Sequence, residues 1–266
     1  MTVAPVAPAR AVRLVMEGHV TWYLKNWRVS VVGSVLQPLL ALVAFGVFFG
    51  RLAAHGSGLS QVTGGVPYLV YLTPGLLCGA ALMSGANESS FPVFAGFQWQ
   101  KNYEAITATP VGPVQLALGQ LSWVGLRILG GGVVYLLVAA VFGGIDSPRI
   151  LVALLVSVAT GLAFAAMVSA FAASVKTDNA FNLLFRFVVV PMTLFAGTYF
   201  PIDRLPGWAQ VVAVVTPLWH GTQVARAATL GTWQWWPSLG HLGYLLVWIV
   251  VGGSLACWRF RVRLTR

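Results

Sequence analysis

Residues 29–50 contain no charged side chain, and apolar segments of similar length recur to the end of the chain. At 1.5 Å of rise per residue, about 20 such residues cross the roughly 30 Å hydrocarbon layer of a bilayer. Further segments of this kind cover residues 67–90, 114–142, 150–175, 180–198 and 238–258. The expectation is an all-α polytopic membrane protein with six transmembrane helices.

Composition agrees. Hydrophobic residues make up 58% of the chain and charged ones 8%, against about a quarter charged in a soluble domain. Water cannot be the solvent for so much apolar surface. The net charge of +10 would suggest nucleic acid in a soluble protein, but here the basic residues gather near the chain ends, so anionic lipid is the expected counterpart.

The segments between spans carry most of the information. Residues 1–28 form a Pro- and Ala-rich tail followed by an amphipathic stretch. Val12, Val15, Met16, His19, Tyr23 and Trp27 recur at three- and four-residue steps, with Arg13, Glu17, Lys25 and Arg28 on other faces. That pattern predicts a helix lying in the membrane interface. No compact apolar region with a cleavage site precedes Arg28, so it is not a secretory signal. Residues 29–266 read as one transmembrane domain. Pro38 predicts a kink in the first span, and Pro74-Gly75 an interruption of the second. After the fifth span, the apolar run 208–215 is too short to cross and predicts a re-entrant or interfacial helix.

Basic residues set the orientation. With both termini cytoplasmic, Arg10, Arg13, Lys25, Arg28, Lys101, Lys176, Arg259, Arg261, Arg263 and Arg266 fall inside. Arg51, Arg149, Arg204 and Arg226 fall in outer segments.

Several chemistries lack their residues. None of the three lysines follows the glycines of a phosphate-binding loop, and neither HExxH nor GxSxG is present. Cys78 and Cys257 lie in apolar segments without metal-ligand spacing, and the four histidines are dispersed. No catalytic, metal or cofactor site is expected in this chain.

The insert FQWQKNYEAITATPVGPVQLALGQLSW, residues 97–123, is longer than a turn needs. Trp99, Tyr103 and Ile106 fall at helical spacing, with Lys101 and Glu104 marking a polar side. Such a short surface helix suits docking into a partner's groove. A basic residue, an aromatic, Glu-Ala, Thr-Pro and a further Pro in this order resemble the region before the third span of type-2 ATP-binding-cassette (ABC) exporter permeases. Residues 200–208 (FPIDRLPGW) with 216–222 (TPLWHGT) resemble that family's segment after the fifth span. The resemblance covers nearly the whole chain and is strongest to permeases of nodulation-factor (lipo-oligosaccharide) and daunorubicin-type drug exporters.

The resemblance implies a dimeric permease, of two copies or of paralogues, in the cytoplasmic membrane of a bacterium. Two copies of a cytoplasmic ATPase subunit would use ATP and Mg, which this chain would not bind itself. The implied cargo is a glycolipid, lipo-oligosaccharide, polysaccharide or drug. The implied ATPase-coupling element covers residues 98–109, with Gln98, Lys101, Tyr103, Glu104 and Thr107, and Glu17 to Arg28 forms a second contact surface.

Three ionisable residues fall within apolar stretches: Glu88, Arg127 and Arg186. Charge in hydrocarbon costs about 2.5–3.5 kcal/mol even on the lenient insertion scale. Glu88 and Arg186 lie near cytoplasmic ends and could snorkel. Arg127 is deeper and needs a partner, for which Glu88 is the candidate, or it contacts substrate. Among the aromatics, Trp233, Trp235 and Trp236 read as interfacial anchors. Trp208, Trp219 and His220 are candidates for an outer gate, with simple anchoring as the alternative. Two other classes stay open: an ATP-independent secondary transporter or channel, and a membrane-embedded transferase. The first would show ionisable relays or repeated broken helices, and the second a polar cluster at one membrane face.

Overall fold

The computed structural model describes residues 7–25, 65–199 and 201–265, together with positions 40, 43 and 44. Apart from those three positions, the expected first span, with Pro38, lies outside the described residues, as do Arg28 and the loop up to residue 64. Every regular element among the described residues is helical. In hydrocarbon the helix satisfies backbone polar groups within one segment, so apolar sequence selects it.

Helix α1 (Pro8–Lys25) is followed by α2 (Tyr68–Ser89), α3 (Phe91–Gln98) and the short α4 (Asn102–Thr107). Next come α5 (Pro113–Val141) and α6 (Ile150–Ala172). Then α7 (Asn179–Leu184) runs through a π-helical turn, Phe185–Val189, into α8 (Val190–Phe195). Two amphipathic helices, α9 (Gly207–Val215) and α10 (Pro217–Leu230), precede α11 (Trp235–Leu264). Among the described residues four helical segments are long and apolar enough to cross a membrane: 68–98, 113–141, 150–172 and 235–264. The stretch 179–195, largely within the expected fifth span, is apolar but shorter.

The second span differs from its expectation. Helix α2 runs straight through Pro74-Gly75, and the break comes at Ser90, with φ −92° and ψ −96°. Proline removes one backbone donor, the helical partner of the Val70 carbonyl, and loosens its turn, and neighbouring helices donate to other carbonyls of that turn. The Arg226 Nε–H donates to the Tyr71 carbonyl at 3.3 Å, and the Tyr135 hydroxyl to the Thr73 carbonyl at 3.2 Å.

Helix α6 lies at the centre, touching α2, α5, α10 and α11. It can do so because small residues let backbones approach. A Cβ on Gly85 would stand 2.6 Å from the Gly161 carbonyl, and one on Gly161 would stand 2.6 Å from that of Ala81. A second core forms where α1, α3, α4, α5, α7 and α11 meet, built on Phe94, Phe97, Tyr103, Phe181 and Phe260. Helix α11 leaves Leu246, Val247 and Val250 exposed, as a lipid- or partner-facing helix does.

Candidate functional site: an amphipathic cavity and its coupling helix

Helix α4 is held by what lies beneath it. Lys101, its N-cap, has φ 52°, a left-handed conformation that turns the chain sharply out of α3 and is costly for a side chain of this kind. Tyr103 is 3% exposed, packed edge-on against Phe97 at 4.9 Å and tilted against Phe260 at 5.7 Å. Gly96 makes room for it, since a Cβ there would fall 2.5 Å from the tyrosine ring. The Tyr103 hydroxyl donates to Gln120 Oε1 at 3.5 Å.

Tyr103 therefore anchors α4 and is not available on its outer face. Lys101 and Glu104 are exposed, while Thr107 donates back to the Tyr103 carbonyl at 2.9 Å. Gln98 closes α3. The far end of α11 joins the same knot: Arg263 lies over the Phe97 ring at 4.4 Å and donates to the Ala173 carbonyl at 2.9 Å.

Between α1, the α2–α3 junction, α4 and α5 lies a cavity of about 510 Å³. Its walls include His19, Tyr23, Glu88, Tyr103, Trp123 and Arg127. Arg127 Nε donates to Glu88 Oε1 at 3.0 Å, so two of the three intramembrane charges come together. Arg186 stands apart, exposed on the π-helical turn. The Arg127 guanidinium covers the Tyr23 ring at 4.5 Å, a favourable cation–π placement. His19 stacks on Trp123 with centroids 5.6 Å apart. Burial holds the His19 imidazole below its ordinary pKa of 6.5, against the opposing charge of Glu88 and a hydrogen bond to Gln120. On the exposed side of α1, Glu17 accepts from Arg13 at 2.8 Å.

The opposite end of the bundle holds the gate candidates. Trp208 is exposed and meets Phe195 edge-on at 6.3 Å. Helix α10 is well capped, with Thr216 Oγ1 accepting from the Trp219 N–H, Pro217 in its first turn and Gly231 at φ 73° after its end. His220 is buried. Its Nε2 lies 2.9 Å from the Val214 carbonyl and its Nδ1 2.7 Å from His241 Nδ1. A carbonyl only accepts, so Nε2 carries the proton, and Nδ1 of the neutral ring accepts from His241 Nδ1–H. Tyr244 stacks on His220 at 3.9 Å, and Trp219 meets both histidine rings edge-on. The cluster joins α9 and α10 to α11.

The sequence reading placed Arg226 in an outer segment; in the structure it is buried. Its guanidinium lies over Tyr71 at 4.0 Å and donates to the carbonyls of Tyr71, Gly197 and Thr198. Those last two belong to the turn after α8, whose terminal carbonyls have no helical partner. The only signal was amphipathic: Arg226 follows Leu218 and Thr222 at four-residue steps.

Residues 10–230 match the family model described as ABC-2 type transporter. The chain is 32% identical to Nodulation protein J of Rhizobium meliloti (strain 1021) over 235 residues, covering 88% of this chain and 87% of that protein. It is 28% identical to Nodulation protein J of Sinorhizobium fredii (strain NBRC 101917 / NGR234), covering 86% and 84%. Inner membrane transport permease YadH of Escherichia coli (strain K12) is 24% identical, covering 89% and 88%. No solved structure matches.

Proposed function

Because the chain belongs to the ABC-2 type transporter family and is a membrane permease subunit of an ABC exporter, we propose that α4 is the element through which a cytoplasmic ATPase drives it. The observation that carries this reading is a helix with two exposed charges, Lys101 and Glu104, seated on a buried aromatic knot. A short helix packed this firmly passes a rigid-body displacement to α5 and α11. Glu17 and the exposed side of α1 offer a second contact, extending to Arg28.

In this reading six spans, including residues 29–50 and 180–198, place both termini in the cytoplasm of a bacterium. Two permeases, identical or paralogous, stand on two ATPase subunits that bind ATP and Mg. This chain binds neither nucleotide nor nucleic acid. The helices α9 and α10, with Trp208, Trp219 and His220, form the outer gate. The cargo is amphipathic: a glycolipid, lipo-oligosaccharide, polysaccharide or drug.

Co-expression with an ABC ATPase subunit tests this directly. The expected result is a complex containing two of each subunit, with transport by inverted vesicles that stops when ATP is withheld. Transport that continues without nucleotide would return the chain to the ATP-independent carriers.

A further inference from the structure

The Glu88–Arg127 pair is unusual as a structural device. Withdrawing two charges from water costs several kcal/mol per ion, and the loss is recovered only when the remaining protons and lone pairs are also satisfied. Here one contact joins the two side chains, Nε to Oε1. Among the described residues the terminal amino groups of Arg127 and the second Glu88 oxygen make no hydrogen bond. Both side chains are only partly shielded, 19% and 23% exposed, and both line the same cavity. The cavity therefore presents a donor end and an acceptor end within one space.

The walls narrow the chemistry. Tyr23 meets Trp123 edge-on at 5.8 Å, and Trp22, 66% exposed, stands with them at the lining. Such rings attract a cation, as Tyr23 does the Arg127 guanidinium on one face, while His19 takes one face of Trp123. A purely anionic ligand would meet the Glu88 carboxylate, and a purely cationic one the Arg127 guanidinium. Neutral hydroxyls would bond to both ends but would leave each without a counter-charge. A zwitterion carries the complement of each end. Position points the same way, because the cavity opens beside α1, whose Trp22 and Leu24 are exposed on an amphipathic helix. That is the depth of lipid headgroups.

We propose that this cavity is a receptor for the zwitterionic aminophosphate head of a membrane phospholipid, its phosphate on Arg127 and its ammonium between Glu88 and the Tyr23–Trp123 rings. The inference rests on the exporter reading only for the depth of α1 in the membrane. The lipid wedges between α1, α4 and α5, so it is also placed to stiffen the elements assigned to coupling.

The test uses the full-length chain extracted from vesicles of equal phosphatidylethanolamine and phosphatidylglycerol, with retained lipid counted by native mass spectrometry. The expected result is one phosphatidylethanolamine held per chain, with about tenfold preference over phosphatidylglycerol. Glu88→Gln and Arg127→Gln should each lower retention about tenfold. The double exchange Glu88→Arg with Arg127→Glu keeps an ion pair and should restore thermal stability. It should not restore retention, because the acyl chains fix which end of the head lies deeper. Where the single variants do not fold, the wild-type preference and the double exchange decide.

Equal retention of the two lipids, or wild-type retention by the exchanged pair, would overturn the assignment. Retention of a neutral glycolipid in place of phosphatidylethanolamine, when it is added to the vesicles, would also overturn it. ATP-driven export that persists in any of these cases would leave the exporter reading standing.

Discussion

Arg226 shows how one side chain can hold three segments. Its donors reach carbonyls of α2 and of the turn after α8, with Tyr71 stacked beneath. Lysine keeps the charge but not the fork. We expect Arg226→Lys to lower stability by about 2–4 kcal/mol, since hydrogen bonds to charged groups contribute roughly 1.5–3 kcal/mol each and part of them survives. Arg226→Met would lose all of them. Thermal unfolding in detergent should rank wild type above Lys above Met; equal midpoints would mean that the carbonyls find other donors. Glu88, Arg127 and Arg226 also mark what could be read in advance. The first two stood out as charges in apolar runs, whereas Arg226 sat in a semi-polar stretch where a basic residue draws no notice. Its burial arises from the way α10 folds back on α2, a contact between residues 155 positions apart.

At the scale of elements, α1 and α4 carry the sharpest expectations. The coupling reading distinguishes the exposed from the buried residues of α4. Lys101→Ala with Glu104→Ala should leave expression and thermal stability near wild type while lowering export and its stimulation of the ATPase about tenfold. Tyr103→Ala should instead destabilise by about 3–5 kcal/mol, as other large buried aromatics do, and Gly96→Ala should act in the same direction by displacing the ring.

Helix α1 adds a pH dependence. The His19 pKa is lowered in the folded state by burial, so the unfolded or undocked segment binds the proton more readily. Docking of α1 is therefore complete above pH 6.5 and weakens as pH falls below it, towards the folded value. Hydrogen exchange at pH 7.5 and 5.5 should show α1 opening at the lower pH, and His19→Gln should abolish the difference. The helical spacing of Tyr103 and Ile106 revealed that a helix lies there. The left-handed turn at Lys101, which points Tyr103 inward, could not be read because no local pattern encodes it.

Over the whole molecule, the disposition of loops follows from charge. With Cys78 and Cys257 replaced by Ala, a cysteine at Asp146 should react with a membrane-impermeant maleimide from outside intact cells. One at Glu104 should react only after the membrane is opened. Reversal of that pattern would invert the proposed topology. Four helical segments among the described residues are long and apolar enough to cross a membrane, and 179–195, which contains the π-helical turn, is shorter. A cysteine at Asp203, compared with one at Lys176, would report whether that stretch crosses.

Apolar length and charge scarcity by themselves determined that this chain is a bundle of membrane helices, because water cannot solvate such a surface and only helices satisfy its backbone in lipid. The amphipathic interruptions determined where α1, α4 and α9 would form, since helical periodicity is a local property. Tertiary structure alone decided which interruptions matter and how. It joined Glu88 to Arg127 across 39 positions and buried Arg226. It also set Tyr103 beneath the exposed face of α4 and opened a cavity between α1 and α5. Those contacts depend on small residues such as Gly85, Gly96 and Gly161 letting particular surfaces approach. Apolar periodicity shows that a surface is buried, but not which other surface it meets.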